Sequence, residues 1–269
     1  MKTAFSTVGC PDWSWNEIFA VAKDLGFDGI EVRGIGSELF APAAQPFAGD
    51  EAEKTAARLA AAGMQIPVYA TNAVVGTGDL SAAMTEARAY LALAARTGTP
   101  YIRVLVTPEP QPGPADLPRA AECVRALCDE ATAGVGVLIE TNGVLAESAR
   151  MREFIESVGR DNAGVLWDVH HPFRFFGEAP EQTMRNLGRL VRHVHIKDSV
   201  AKDGKTCYRM MGYGDVPVFD ALSLLEAQGF DGFVSLEWVK RWNPDLQEPG
   251  IVFAHFANYI GCLLRQLRP

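Results

Sequence analysis

Short apolar runs alternate along the whole chain with longer stretches whose apolar residues recur at helical spacing. That alternation is the pattern of strands joined by crossover helices in an α/β fold. The runs predict strands over residues 3–8, 29–33, 65–70, 101–106, 137–140, 165–168, 193–196 and 233–237. The punctuation between them agrees. Asp12-Trp13-Ser14-Trp15-Asn16-Glu17 opens a helix with capping residues and an acid in its first turn, and Gly26 closes it after Leu25. Gly63, Gly98, Gly134 and Gly229 likewise separate a helix from the third, fourth, fifth and eighth strands. Gly26-Phe27-Asp28-Gly29 and Gly229-Phe230-Asp231-Gly232 repeat one helix-to-strand turn without implying an internal duplication. No low-complexity linker divides the chain, so residues 1–269 read as one domain, and eight strands are what a closed barrel requires. The expected fold is a single (β/α)8 TIM barrel. A doubly wound open sheet would carry a glycine-rich phosphate turn after an early strand, whereas Gly34-Ile35-Gly36 lacks the third glycine and leads into no convincing helix.

Composition narrows the partners. The chain is 48% hydrophobic over 269 residues, enough for a well-buried core, and its formal charge of -8 argues against a nucleic-acid partner. A small molecule is the expected ligand, and the sequence does not specify whether the protein is a homo-oligomer. The five cysteines, Cys10, Cys123, Cys128, Cys207 and Cys262, contain no CxxC pair, which suggests neither a disulfide framework nor a zinc ribbon. The first eight residues lack the apolar length of a signal peptide, and no apolar run approaches the ~18 residues of a membrane span. A soluble cytoplasmic protein is expected.

Four metal-capable side chains end four successive predicted strands: Glu140, Asp168, His195 and Glu237. In a parallel barrel the C-terminal strand ends surround one mouth, so residues distant in sequence converge there. Three carboxylates brought together repel one another, and a dication makes such a cluster tolerable. Taken singly, each acid could instead cap a strand or pair with a nearby lysine or arginine. The oxygen-rich set with one imidazole favours Mn²⁺ first, with Mg²⁺, Co²⁺ or Zn²⁺ as alternatives.

The segments Trp167-Asp168-Val169-His170-His171, His193-Val194-His195-Ile196-Lys197-Asp198, Gly212-Tyr213-Gly214-Asp215-Val216 and Gly232-Phe233-Val234-Ser235-Leu236-Glu237-Trp238 resemble the sugar phosphate isomerase/epimerase superfamily of xylose isomerase-like barrels. The resemblance spans nearly the whole chain. It implies one divalent metal held by Glu140, Asp168, His195 and Glu237, with His171 in contact with substrate. It further implies that Glu140 and Glu237 move protons on opposite faces of a sugar through an enediolate. Related keto-sugar epimerases carry a further glutamate six residues beyond the first ligand, where this chain has Ala146. The same superfamily includes dehydratases of keto-cyclitols and dehydroshikimate, which share the first proton abstraction. It also resembles abasic-site endonucleases, whose three-zinc cluster five histidines and an acidic chain fit poorly. A non-catalytic ligand-binding subunit is the remaining alternative.

Other residues are open between two roles. Glu31 and Arg33 share a face of the second strand and either line the mouth as substrate ligands or form a buried ion pair. Trp13, Trp15, Phe173, Phe175, Phe176 and Trp238 lie in or beside strand-to-helix loops, where rings can stack on a sugar or simply pack. Lys197, Lys202, Lys205 and Arg209, with Lys240 and Arg241, are candidates for gripping an anionic substrate or else form a solvated basic rim. His170 is expected to face solvent from a loop, and His193 to be a packed strand residue.

Overall fold

A computed structural model describes residues 1–267. The strands are β1 (Lys2–Ser6), β2 (Gly29–Glu31), β3 (Tyr69–Val74), β4 (Tyr101–Leu105), β5 (Gly136–Glu140), β6 (Ala163–Asp168), β7 (Val191–Ile196), β8 (Asp198–Lys202), β9 (Lys205–Arg209) and β10 (Phe233–Leu236). All except β8 and β9 form one parallel sheet in the order β2-β1-β10-β7-β6-β5-β4-β3. The two ends of that sheet meet. Gly29 bridges Gln65 and Val32 bridges Tyr69, with Ile30 N–H donating to the Gln65 carbonyl at 3.0 Å and Ala70 N–H to the Val32 carbonyl at 2.9 Å. The sheet is therefore a closed (β/α)8 barrel.

The third strand lies further along the chain than residues 65–70. Pro67 has no N–H to contribute to a ladder, so the backbone before Tyr69 pairs only beside β2, and regular pairing with β4 begins at Tyr69. The first strand stops at Ser6, and a 3-10 turn over Thr7–Gly9 occupies the rest of the expected run. The β8–β9 hairpin was not anticipated. Its turn, Asp203-Gly204, has φ of 51° and 72°, the paired left-handed conformation that a two-residue hairpin favours, and Asp-Gly before alternating residues was its signal.

The outer layer comprises α1 (Trp15–Asp24), α2 (Glu51–Ala61), α3 (Leu80–Thr97), α4 (Leu117–Glu130), α5 (Ser148–Val158), α6 (His170–Phe176), α7 (Pro180–Leu187), α8 (Val218–Ala227) and α9 (Pro249–Leu267). The cap of α1 is Ser14, which accepts from Glu17 N–H while the Glu17 carboxylate accepts from Ser14 N–H. Apolar strand residues such as Ile30, Val104, Ile139 and Val165 pack outward into the helix layer. Val68, Leu138 and Leu166 form a separate small cluster with Tyr101. Two residues on from Leu138 and Leu166, on the same strand face, stand Glu140 and Asp168. The lumen thus passes from an apolar plug to a polar mouth. A cavity of about 450 Å³, bordered by Lys2, Tyr101, Arg192, His193 and Phe233, lies at the N-terminal end of the strands.

Candidate metal centre and active site

Glu140 ends β5, Asp168 ends β6, His195 precedes the last residue of β7, and Glu237 follows β10. The barrel brings one ligand atom from each of the four to within 4.8 Å of the others. His195 Nδ1 is the focus. It lies 3.9 Å from Glu140 Oε1, 3.9 Å from Asp168 Oδ2 and 3.6 Å from Glu237 Oε1. Spacings of this size suit ligands that each stand about 2 Å from a common ion. All four side chains are buried.

The orientation of His195 is set from behind. Its Nε2 donates to Glu31 Oε2 at 2.8 Å, and His193 Nε2 donates to the same oxygen at 2.9 Å. That bond places the His195 proton on Nε2 and leaves the Nδ1 lone pair aimed at the three carboxylates. Nδ1 is buried and has no hydrogen-bond partner. A buried nitrogen without a partner is costly, and this orphan is the observation that makes the donor set fit a divalent ion rather than a self-contained ion-pair network. Burial lowers the His195 imidazole, but Glu31 and then Glu237 override it and raise it to about 9. Where no ion is bound, a second proton occupies Nδ1 at neutral pH, and an ion takes up the lone pair by displacing it.

Two cations offset part of the carboxylate charge. The Lys197 ammonium donates to both Asp168 Oδ2 and Glu237 Oε2. Arg103, fully buried in β4, stands 3.2 Å from Glu140 Oε2 and donates to the Thr71 carbonyl at 3.0 Å. Burial pushes the Glu237 carboxyl up, yet Lys197, His195 and Arg33 together hold it well below the usual carboxylate range, so it stays ionised. Asp168 is anchored by its other oxygen, Oδ1, which accepts from the N–H groups of His170 at 2.9 Å and His171 at 3.2 Å where α6 begins. Burial, then the Lys197 charge, lowers His171 to about 3, leaving it neutral. Its Nδ1 donates to the Thr141 carbonyl at 3.0 Å, so Nε2 is an acceptor, 3.6 Å from Asp168 Oδ2.

These groups floor a cavity of about 890 Å³ at the C-terminal mouth, with Glu140, His171, Lys197, Glu237 and Arg33 in its walls. Four expectations need correction. Glu31 does not line the mouth; it lies wholly buried behind the histidines, because β2 pairs with β1 and turns that carboxylate inward. Trp13 packs edge to face on Phe253, 5.6 Å between centroids, and is absent from the cavity wall. Arg209 is exposed at the end of the hairpin, where its guanidinium donates to the Tyr208 carbonyl. His170 is fully buried rather than solvent-facing, because α6 starts immediately after β6 and carries its ring to Ser199 Oγ at 2.9 Å. His193 is buried, as expected, with Glu31 as its partner.

Sequence reasoning passed over several wall residues: Asn142, Tyr208, Trp242 and Asn243, together with Arg103 beneath Glu140. Arg103 had a signal, as the sole charge inside the apolar run Tyr101-Ile102-Arg103-Val104-Leu105. Of the aromatic residues singled out, Phe175 lines the cavity, whereas Trp15 packs on Phe47 and Trp238 donates from its indole to the Gln247 carbonyl. Lys240 is likewise committed, to the carbonyls of Pro244 and Leu246 and to Glu248.

Residues 19–253 match the family model described as xylose isomerase-like TIM barrel. The chain belongs to that family. No curated protein matches it by sequence. Among solved structures, this xylose isomerase-like barrel is similar to the probable 3-DHS dehydratase AsbF involved in petrobactin synthesis from Bacillus anthracis, with TM-score 0.77 and 20% identity over 97% of this chain and 99% of that one. It is similar to the IOLI protein with a bound zinc atom, with TM-score 0.79 and 18% identity over 99% of each chain. It is also similar to D-psicose 3-epimerase from Clostridium cellulolyticum, with TM-score 0.75 and 18% identity over 97% of this chain and 98% of that one. At these identities the likeness establishes the fold. The turn Gly212-Tyr213-Gly214 gains a structural account in this barrel: Asp198 accepts from Gly212 N–H at 2.9 Å and Gly214 N–H at 2.8 Å, and a Cβ on Gly214 would stand 1.9 Å from Asp198 Oδ1.

Proposed function

We propose that the protein is a divalent-metal-dependent isomerase or epimerase of a sugar-like polyhydroxy carbonyl compound. The observation that carries this reading is the orphaned His195 Nδ1 facing Glu140, Asp168 and Glu237 at the floor of the open cavity. The four residues would hold the metal, with Mn²⁺ as first choice for an oxygen-rich set. When bound, a dication supplies polarisation of a substrate carbonyl and offsets the negative charge of an enediolate.

The chain's own groups do the rest. Glu237 and Glu140, from strands separated in the sheet by β7 and β6, both reach the cavity and flank whatever occupies it. One removes the proton from the carbon beside the carbonyl, and the other returns a proton to the neighbouring position or the opposite face. Lys197 keeps Glu237 ionised and ready to accept. His171 Nε2 accepts from a substrate hydroxyl, its tautomer fixed by Thr141. Phe175 and Trp242 supply apolar wall that keeps water from the reacting carbon. The free state of all five cysteines fits a reducing, cytoplasmic setting.

A metal-dependent dehydratase of a keto-cyclitol or dehydroshikimate-like substrate is the second reading. Tyr208 lines the cavity with Lys197, and its phenol is the proton donor that a leaving hydroxyl would use in this reading. Ala146, fully buried, contributes no acid to the mouth. The test is a screen of ketoses, keto-cyclitols and their phosphates with Mn²⁺-loaded protein in deuterated water. Deuterium entering a recovered isomer supports the isomerase reading, and an absorbing enone product supports the dehydratase. Full metal content and full activity in Glu237→Gln would sink both.

A further inference from the structure

The mouth cavity presents three cations, Arg33, Lys197 and Lys205, and three acids, Glu109, Glu140 and Glu237. Most are already matched or solvated. Glu237 is paired with Lys197 and Glu140 with Arg103, while Glu109 is exposed on the loop after β4 and Lys205 is exposed on the hairpin. Arg33 is different. It is partly buried just beyond β2, with its backbone N–H fixed on Thr7 Oγ1 at 2.8 Å. Its guanidinium lies 5.8 Å from the Trp242 ring centroid and reaches Asn72 Oδ1 only at 3.4 Å, and its buried Nε has no partner. Among the described residues no carboxylate forms an ion pair with it. Burial and the nearby Arg103 push Arg33 down to about 10, which still leaves it charged at neutral pH.

A desolvated guanidinium that feels Glu237, Glu140 and Glu31 only from beyond ion-pair distance, each of them already paired elsewhere, is stabilised by a countercharge in direct contact. We infer that Arg33 anchors an anionic group of the substrate, a carboxylate or a phosphate, at the β2 lip of the cavity, with the Trp242 ring behind it. The inference rests on the reading of this cavity as the active site. A guanidinium donates to either anion through its terminal nitrogens, of which only the one near Asn72 Oδ1 has a partner, while the enclosed Nε–H has none. Arg209 and Lys240, the residues that the sequence offered for this role, are turned away or already bonded. Arg33 is thereby a specificity-determining residue: it selects charged substrates over neutral sugars and takes no part in proton transfer.

The test is calorimetric binding to Mn²⁺-loaded protein with two matched pairs of probes, D-gluconate against D-glucitol and D-fructose 6-phosphate against D-fructose. At least one anion is expected to bind roughly 10-fold or more tightly than its neutral partner, the size of a charge-assisted hydrogen-bond pair. Preference confined to the first pair identifies a carboxylate, and preference confined to the second a phosphate. Arg33→Met should abolish the preference while leaving the neutral probe within about twofold, whereas Arg33→Lys keeps part of it and Lys205→Met keeps all of it. Should Arg33→Met fail to fold, Arg33→Gln, which retains a donor for Asn72, is judged by the same criterion. No preference in the native protein, or a preference that survives loss of the guanidinium, overturns the inference; the latter result would assign the anion to the metal instead. Metal content measured on the same samples separates the two ideas, because a native protein that prefers anions but binds no metal fails only the proposed function.

Discussion

Replacing Glu31 by glutamine removes one charge that touches no ion and changes how an ion binds. One Glu31 oxygen accepts from both His193 and His195, and this carboxylate leads the groups that overcome burial to raise His195 to about 9. Metal binding needs the neutral ring, so below about pH 9 the ion must displace a proton. Because the pKa is raised, affinity climbs with pH, about tenfold per unit between about pH 6 and 9, and is flat above that. At pH 7 it stands about 100-fold, or about 2.7 kcal/mol, below its plateau. The Glu31→Gln substitution removes the largest charge that holds the proton, burial then lowers His195, and the curve flattens at a lower pH than in the native protein. The ring also loses its ionic brace, so the plateau itself drops roughly 10- to 100-fold. Competition for Mn²⁺ against a fluorescent chelator across this range measures both effects. Native affinity that ignores pH, or an equal slope in Glu31→Gln, would refute the reasoning.

Arg103→Met leaves Glu140 as a buried charge without its partner and should cost about 3–5 kcal/mol in urea unfolding of the metal-free protein; a loss under about 1 kcal/mol would show that Glu140 is solvated from the cavity. His171 is lowered to about 3 by burial, so its contribution to stability is complete above its unfolded pKa near 6.5 and is lost as pH falls toward about 3. Moving from pH 7 to pH 5 should cost about 2 kcal/mol through this ring, and His171→Gln should show a correspondingly shallower decline in melting temperature. Gly214→Ala drives a methyl group into Asp198 and the Ser199 carbonyl, 2.4 Å away, and should free the hairpin; faster proteolytic cleavage near Asp203, with the barrel intact, is the expected result.

The convergence of Glu140, Asp168, His195 and Glu237 was legible because each acid closes an apolar strand, where a charge has no local reason to be, and barrel topology alone then brings the four strand ends together. Roles that depend on closure were not legible. Glu31 meets residues more than 160 positions away, and only the join between β1 and β2 shows that it faces the histidines rather than the mouth. Trp13 stands in a strand-to-helix loop that packs against α9, an element whose position the local sequence does not reveal. Pro67 displaced the third strand through a rule that could have been applied to the sequence, and the Asp203-Gly204 turn announced a hairpin where only a basic loop was expected. His170 is buried rather than solvent-facing because the helix begins at once where a loop usually follows a strand end.

The oxygen that Glu31 shares between two imidazoles ties the ends of the lumen into one electrical unit. His193 supplies no ligand atom to the four-residue cluster, and its ring borders the small cavity at the far end of the strands. An ion drawing on His195 Nδ1 makes that ring a stronger donor to Glu31, and the hydrogen bond from His193 must adjust at the same oxygen. The ring nitrogens of His193 are therefore a built-in gauge of occupancy. Their ¹⁵N resonances register an ion at the mouth from a position that neither the ion nor a bound substrate touches.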